Sequence, residues 1–288
     1  MLSAIKENIE RRLGLASSQE VAFRETTLIE NAGAIAGRYK NWRANEKLEN
    51  YPFVENKYAP FTPMRRSLPM LNLALISSAG AYIDGTPSFD TEARDGDISF
   101  KEIPIEVEAA DLLYAARGYD ATAVRQDMNA QIPIERLLEY EANAVIGRLN
   151  HVWWSLCGWI PNARLVAEEL APQIAGRVAR YEVQAALLIP ASRLCHQTLG
   201  ILARALEKAN IPTMMISVDR AMTDLVRPPR TAYYAGEFGS VAGRANWKEY
   251  QLRVLDESLR WIETFDQPGA RRLAVKLETE VEQERGEK

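Results

Sequence analysis

The most reactive side chains lie in one short stretch, Pro190-Ala191-Ser192-Arg193-Leu194-Cys195-His196. It contains one of the two cysteines and one of the two histidines in the chain. The stretch closes an apolar run and opens a helical pattern, so its first amides lack partners within the helix and carry the positive end of the helix dipole. That position lowers the pKa of a thiol and attracts anions. We therefore predict a catalytic thiol at Cys195. Ser192 is expected to cap the helix or stabilise an oxyanion, and Arg193 to reach a carboxylate.

An ordinary capped helix with a half-buried cysteine also fits this stretch, and in a protein of unknown kind it is the more common arrangement. A dyad between Cys195 and His196 is not expected, because adjacent residues face different sides of a helix. No metal site is predicted, since His151, Cys157, Cys195 and His196 match no standard ligand spacing, and a site built from distant segments is the weaker alternative. No Gly-x-Gly-x-x-Gly motif follows a strand, so a nicotinamide is not indicated and no cofactor is predicted.

A second polar cluster lies in the middle of the chain, at Tyr119-Asp120-Ala121-Thr122 and Gln126-Asp127-Met128-Asn129. Asp, Asn and Thr routinely form turns and helix caps, and from spacing alone this is the more common role. The functional alternative is a polar wall that hydrogen-bonds an amino or carboxylate group, with Asp127 transferring protons.

Short apolar runs predict the buried strands that position these residues, at 71–77, 183–189, 211–217 and, more weakly, 231–235. A helix predicted over 194–209 separates the second run from the third, and this spacing is a βαβ unit with parallel strands. Ligands of such sheets bind beyond the carboxyl ends of the strands. That rule adds Ser78 and Gly80, which follow the first run, to the candidate binding residues.

The predicted fold class is α/β, a doubly wound and mostly parallel sheet with helices on both faces, preceded by N-terminal helices. Further helices are predicted over 133–143, 162–180 and 246–265. The predicted organisation is an N-terminal helical segment over 1–50, a Pro-rich connector over 51–70, an α/β domain over 71–267 and a charged C-terminal tail over 268–288.

Composition excludes several classes of partner. The net charge of −4 argues against nucleic acid and anionic membranes. Two cysteines do not make a disulfide framework, and no apolar run approaches the roughly 20 residues that span a bilayer. The stretch Met1-Leu2-Ser3-Ala4-Ile5-Lys6-Glu7 carries charges where a signal peptide needs an apolar core, so we expect a cytoplasmic protein.

Several motifs, in order, resemble the glycine/sarcosine/betaine/D-proline reductase selenoprotein B family. The similar stretches are Pro60–Leu68, Leu73–Gly80, Asp90 with Gly96–Pro104, Tyr119-Asp120, Asp127-Met128-Asn129 with Pro133, Gly158–Pro161, Cys195–Thr198 and Ala209–Thr213. Their order and spacing hold from about residue 58 to about residue 265. The stretches resemble D-proline-reductase-like members of that family in particular.

The resemblance implies a reductive C–N bond cleavage, with one departure in this chain. In the family, a selenocysteine or cysteine stands three residues before the cysteine of the Cys-His-Gln motif and attacks carbon, and a pyruvoyl-type partner subunit often holds the substrate amine. The resemblance places Ser192 at the nucleophile's position. A serine hydroxyl has a far higher pKa than a thiol and cannot form a redox-active bond with Cys195.

Two hypotheses follow. The favoured one is a divergent enzyme that cleaves a carbon–heteroatom bond, expected to be C–N, of a small amino- or carboxylate-bearing compound without a selenol. Its catalytic residues would be Cys195, Ser192 and Asp127, and its substrate contacts Ser78, Gly80, Asp120, Asn129, Arg193 and His196. The alternative is a non-catalytic binding or partner subunit of a multi-subunit complex. The expected partners are a small-molecule substrate, a pyruvoyl-type subunit and further copies of the same chain.

Overall fold

The computed structural model describes residues 28–42 and 48–275. Its strands are β1 Asn72–Ser77, β2 Ala81–Ile83, β3 Lys101–Pro104, β4 Leu112–Tyr114, β5 Arg148–Leu149, β6 Val152–Ser155, β7 Ala185–Ile189, β8 Thr213–Ser217, β9 Arg230–Tyr233 and β10 Gly269–Arg272. Eight of them form one sheet in the order β10-β9-β8-β7-β1-β6-β3, with β5 also paired to β1. β3 is antiparallel to β6, and the other pairs in this sheet are parallel. β2 and β4 form a separate antiparallel pair.

Helices cover both faces of the sheet. They are α1 Ala32–Trp42, α2 Thr122–Gln126, α3 Ile134–Ala142, α4, α5 Arg193–Lys208, α6 Arg220–Val226 and α7 Lys248–Thr264, where α4 runs from Ala163–Leu165 through a π-helical turn, Val166–Leu170, into Ala171–Arg180. Successive residues of a strand face opposite sides of a sheet. Leu75 of β1 therefore shares an apolar cluster with Val254 of α7, whereas Ile76 shares the other cluster with Leu199 of α5. The predicted doubly wound α/β class is confirmed.

The central strands form where the sequence has continuous apolar runs. β1, β7 and β8 are buried along their whole length, as expected for parallel strands covered on both faces. α5 ends at Lys208, and Asn210 follows with a φ of +63°, the left-handed conformation that closes many helices.

Near both ends of the described chain, the local structure adds detail to the predicted segments. Residues 28–31 are not helical, and the rest of the predicted helical segment before Ala32, together with residues 43–47, lies outside the described residues. At the other end β10 extends the sheet beyond residue 267, into the predicted tail. β10 forms because it pairs with β9, and the sequence of this short Arg-rich strand does not by itself predict a strand.

The Pro-rich connector packs on α5 through buried polar side chains. Gln197 Oε1 accepts a hydrogen bond of 2.7 Å from the backbone N–H of Val54. Glu207 accepts the N–H of Thr62 and forms a fully buried ion pair with Arg230. The connector is therefore fixed to the helix that carries the reactive stretch at its other end.

Candidate functional site

The candidate site lies where the carboxyl ends of β1 and β7 meet. The chain leaves β1 towards β6 on one side and leaves β7 towards β8 on the other, so this is the topological switch point of the sheet. Ser78 Oγ accepts a hydrogen bond of 3.0 Å from the N–H of Ala191. The N–H of Ser78 in turn donates to the carbonyl of Ile189 at 3.3 Å. These two bonds join the loop after β1 to the reactive stretch after β7.

Ser192 is the N-cap of α5. Its Oγ accepts a hydrogen bond of 3.1 Å from the N–H of Cys195, and its extended backbone is the usual conformation of a cap. The Cys195 thiol lies 3.7 Å from the carbonyl oxygen of Ser78, to which it donates. Burial raises the pKa of Cys195, and hydrogen bonds from the Ser192 and Ser78 hydroxyls act in the opposite direction. Since burial is the largest effect, the thiol is protonated in this closed arrangement.

Gly158, at the end of the segment after β6, forms the third side of this site. A Cβ there would lie 2.5 Å from the Cβ of Ser78 and 3.0 Å from the sulfur of Cys195. The Gly158 carbonyl also accepts a hydrogen bond of 2.7 Å from Thr198 Oγ1. The absence of a side chain therefore lets this backbone close directly over the thiol.

Tyr119 covers the loop after β1. Its hydroxyl donates a hydrogen bond of 2.7 Å to the carbonyl of Ala79. Burial raises its pKa, and the nearby thiols of Cys195 and Cys157 add to the increase. Gly80 follows with a φ of +68°, and a Cβ there would lie 2.5 Å from the carbonyl oxygen of Ala115. Glycine is therefore required at the turn that leads from β1 into β2.

Gln131 connects two further loops to the site. Its Nε2 donates to the carbonyl of Ile189 at 3.2 Å, and its Oε1 accepts from the N–H of Val241 at 3.1 Å. Gln131 is completely buried. It joins the segment that contains Asp127 and Asn129, and the glycine-rich loop after β9, to the end of β7.

The polar residues of the Asp127 segment form a network of their own. Asp127 Oδ2 accepts hydrogen bonds from Gln251 Nε2 at 2.6 Å and from the N–H of Asn246 at 2.9 Å, while Oδ1 accepts from Asn129. Burial raises the pKa of Asp127, but these bonds outweigh it and hold the pKa below its usual range. Asp120 is exposed, and its pKa is lowered by hydrogen bonds from Thr122.

Arg193 and His196 point away from the thiol into separate interactions. Arg193 is half exposed, and its Nε donates to Asp219 at 2.8 Å. His196 is fully buried, with Nε2 lying 3.0 Å from Ser217 Oγ and 3.1 Å from Thr223 Oγ1. Burial lowers the pKa of His196 to about 4, and Asp219 opposes that decrease.

The structure thus brings Ser78, Ser192 and Cys195 into direct contact, with Gly80 at the adjoining turn. It places Asp127, Asn129 and Asp120 in the neighbouring segment, and His196 on another side of α5. The sequence prediction missed Gly158, Tyr119 and Gln131, which close and connect the site. Gly158 and Tyr119 lie within the motifs that resemble the family, but their contacts join segments far apart in the chain.

The described residues contain no group of three or more His, Cys, Asp or Glu side chains arranged to hold a metal ion. His151 is exposed, and its ring lies tilted against the ring of Tyr181, with centroids 5.0 Å apart. The second cysteine, Cys157, donates to the carbonyl of Ala115 at 3.6 Å, and burial raises its pKa to about 12.

Within the described ranges, no helix has the length and apolarity to cross a membrane.

Comparison with known families places most of this region in one family. The glycine/sarcosine/betaine reductase selenoprotein B family matches residues 46–191, which include β1, the Asp127 segment and β7. The chain belongs to the selenoprotein B family. The match ends one residue before Ser192.

Curated relatives are subunits of reductase complexes. D-proline reductase subunit gamma of Acetoanaerobium sticklandii is 28% identical over 205 residues, which cover 70% of this chain and 82% of that protein. The glycine reductase complex component B subunit gamma of Symbiobacterium thermophilum is 26% identical over 172 residues, covering 58% of this chain and 39% of the relative. The match thus spans well under half of that glycine reductase subunit. No solved structure matches the chain.

Proposed function

We propose that the protein is a divergent selenoprotein B family enzyme that cleaves a carbon–heteroatom bond of a small amino- or carboxylate-bearing compound. The bond that we expect it to cleave is a C–N bond. The observation that carries the proposal is the contact of Ser78, Ser192 and Cys195 at the switch point between β1 and β7. Family membership supports the reductase class, because the relatives are named as reductase subunits.

In this proposal Cys195 is the nucleophile. Its thiolate attacks the carbon that bears the amine, forms a C–S bond and breaks the C–N bond, and the amine leaves with a proton. Reduction of the resulting thioether needs a second thiol, which takes up the sulfur of Cys195 as a disulfide while the carbon gains hydrogen. Ser192 cannot supply that sulfur, so the second thiol comes from a small dithiol or from a partner subunit.

Substrate access requires the site to open. Ser78, Ser192 and Cys195 are each at most 2% exposed, and Tyr119 and Gly158 lie over them. Opening would return water to the thiol and so remove the burial that raises the pKa of Cys195, which leaves the amides at the start of α5 to stabilise the thiolate. A pyruvoyl-type subunit would hold the substrate amine, and docking of that subunit is the natural trigger for opening.

Alkylation and turnover of the complex from the native host test this proposal. We expect Cys195→Ala to abolish turnover of D-proline or glycine with dithiothreitol as reductant, while Cys157→Ala keeps it. Iodoacetamide should label Cys195 faster when substrate and partner are present than in the isolated chain. A Cys195→Ala complex with undiminished turnover would remove the thiol from the mechanism.

A second candidate function is a non-catalytic partner subunit. The specific observation in its favour is that the Ser192 hydroxyl is occupied as a helix cap, while Cys195 is buried and protonated. In that role the chain keeps the fold and surfaces of the family while another subunit performs the chemistry. Purification from the native host separates the two, because a homo-oligomer of this chain that turns over substrate unaided excludes the partner-only role.

A further inference from the structure

A cavity of about 420 Å³ lies where the Pro-rich connector meets the end of α6 and the start of β10. Three cationic side chains line it, those of Lys57, Arg220 and Arg227, together with the carboxylate of Asp224. We propose that this cavity binds the phosphate group of a small phosphorylated compound, with Lys57 and Arg227 contacting the phosphate oxygens. The inference goes beyond the proposed function, because the cavity lies at the amino ends of β9 and β10, whereas the Cys195 site lies at the carboxyl ends of β1 and β7.

Asn56 fixes the connector to the end of α6. Its backbone N–H donates to the carbonyl of Leu225 at 2.8 Å, and its Nδ2 donates to the carbonyl of Val226 at 2.8 Å. Asn56 is buried, so both bonds are shielded from water. They place Lys57, the next residue of the connector, beside Arg227, the residue that follows α6.

Arg204 of α5 joins the same two segments from the interior. Its Nη1 donates to the carbonyl of Tyr58 at 2.5 Å and to the carbonyl of Arg227 at 3.3 Å. Arg204 is completely buried, and a buried charge is costly to leave without its partners, so the two carbonyls are held in place. The fold therefore sets the positions of Lys57 and Arg227 before any ligand arrives.

Lys57 and Arg227 supply positive charge that the surrounding protein does not neutralise. Within residues 28–42 and 48–275, neither the Lys57 ammonium group nor the Arg227 guanidinium takes part in a hydrogen bond or an ion pair. Like charges held close together repel each other. A phosphate dianion accepts hydrogen bonds from both groups, so it offsets this repulsion.

Arg227 also has a strained backbone. Its φ is +51°, the left-handed conformation in which glycine is the usual residue after a helix. A residue with a side chain is strained there, and such strain clusters at functional sites. The Arg227 side chain is exposed and adds nothing to the core, so contact with a ligand accounts for it.

Arg220 and Asp224 adjust the charge of the cavity. Arg220 Nε donates to Asp224 Oδ2 at 2.8 Å, and the Arg220 guanidinium lies 4.7 Å from the ring centroid of Tyr233. Arg220 is thus committed to other groups and contributes its charge rather than a bond. The Asp224 carboxylate repels an anion, so its removal should strengthen binding.

The rest of the lining leaves room for an organic part of the ligand. Tyr58, Ala59, Pro228 and Pro268 contribute apolar surface. The volume far exceeds that of a bare phosphate, since a water molecule takes up about 30 Å³ in the liquid. A phosphorylated compound with a small carbon skeleton therefore fits the cavity better than free phosphate.

Titration calorimetry on the isolated full-length chain tests the inference. The probes are inorganic phosphate and glycerol phosphate, with acetate and glycerol as controls that lack a phosphate group. We expect glycerol phosphate to bind at least as tightly as inorganic phosphate. Each control should bind at least about 10-fold more weakly than glycerol phosphate, as the loss of charge-assisted hydrogen bonds implies.

Three variants and a matched control locate the binding. Lys57→Met and Arg227→Gly should each weaken binding of glycerol phosphate about 10-fold or more, whereas Asp224→Asn should strengthen it. Glu182→Gly is the control, because Glu182 is also exposed and has a φ of +54° after α4. Both glycine variants relieve strain and should unfold at a higher urea concentration, but only Arg227→Gly should lose affinity for the phosphate compounds.

The result can be told apart from that of the proposed function. Failure of both phosphate compounds to bind, an unchanged affinity in Arg227→Gly, or unchanged or weaker binding in Asp224→Asn would overturn the inference. Cys195→Ala should bind glycerol phosphate as the wild type does, since the two sites lie at opposite edges of the sheet. Phosphate binding in a Cys195→Ala complex that turns over normally would remove the thiol mechanism and leave this inference standing. Turnover that depends on Cys195, in a chain that binds no phosphate compound, would have the opposite meaning.

Discussion

Gly158→Ala tests the packing on which the thiol site depends. The new methyl group would lie 2.5 Å from the Cβ of Ser78 and 3.0 Å from the sulfur of Cys195, whereas carbon atoms in contact prefer about 3.5–4.0 Å. Neither neighbour can move freely, because Ser78 Oγ is bonded to the loop after β7 and Cys195 lies in the first turn of α5. Overpacking of this kind costs about 1–3 kcal/mol. The reduced entropy of the unfolded alanine chain offsets about 0.4–1 kcal/mol of that.

Equilibrium unfolding in urea measures the net effect. We expect Gly158→Ala to lower the free energy of unfolding by about 1–2 kcal/mol at an unchanged m-value, and to speed alkylation of Cys195. Gly176→Ala is the matched control, because a Cβ at this helical position meets no atom within 4 Å. The control should gain about 0.5–1 kcal/mol. Equal shifts in the same direction for the two variants would show that Gly158 does not close over the thiol.

Three further predictions concern buried groups near α5. The pKa of His196 is about 4 in the folded state, below its unfolded value, so it favours folding above about pH 6.5. About 3 kcal/mol of stability should be lost as pH falls from 6.5 to 4, and urea unfolding of His196→Gln should show a flatter pH profile over this window. Arg230→Met leaves the Glu207 carboxylate buried without its partner and should lower the free energy of unfolding by about 3–5 kcal/mol. In a double-mutant cycle, the added change Glu207→Gln should restore part of that loss. Strict additivity of the two changes would contradict the pairing. Ser192→Cys places two thiols three residues apart at a helix start, so diamide should oxidise them to a disulfide. The number of free thiols counted in the denatured protein should then fall by two in the variant and by none in the wild type. An unchanged number in the variant would contradict this geometry.

The sequence predicted the parts of the fold that depend on local patterns. β1, β7 and β8 are continuous apolar runs, and α5 has both a serine cap and an asparagine at its end. β10 was not predicted, because an edge strand of Gly269-Ala270-Arg271-Arg272 owes its conformation to pairing with β9 rather than to its own residues. β6 was missed for a related reason, since two buried tryptophans indicate a core without indicating which element carries them.

The same distinction applies to the site. Ser78, Ser192 and Cys195 could be placed together because parallel strands end at one edge of the sheet. The residues that close over them, Tyr119 and Gly158, could not be predicted, because their segments are positioned only by tertiary packing. Burial has the same origin, and burial raises the pKa of the thiol that a helix start alone would lower.

Position 192 is the N-cap of α5, and the proposed function also places the family's nucleophile there. The start of α5 needs an oxygen or a similar acceptor for the N–H of Cys195, and serine is among the best residues for that purpose, worth about 1 kcal/mol over alanine. A thiol or selenol at the same place would be a weaker cap but a far stronger nucleophile. Serine therefore favours a closed, stable site over a reactive one. Cys195 lies against Ser78 and Gly158, and a serine at position 192 cannot form a disulfide with it, so in the proposed mechanism the electrons come from outside this pair. In the proposed mechanism the oxygen atom at position 192 is therefore the reason that a second thiol has to come from a small dithiol or from a partner subunit.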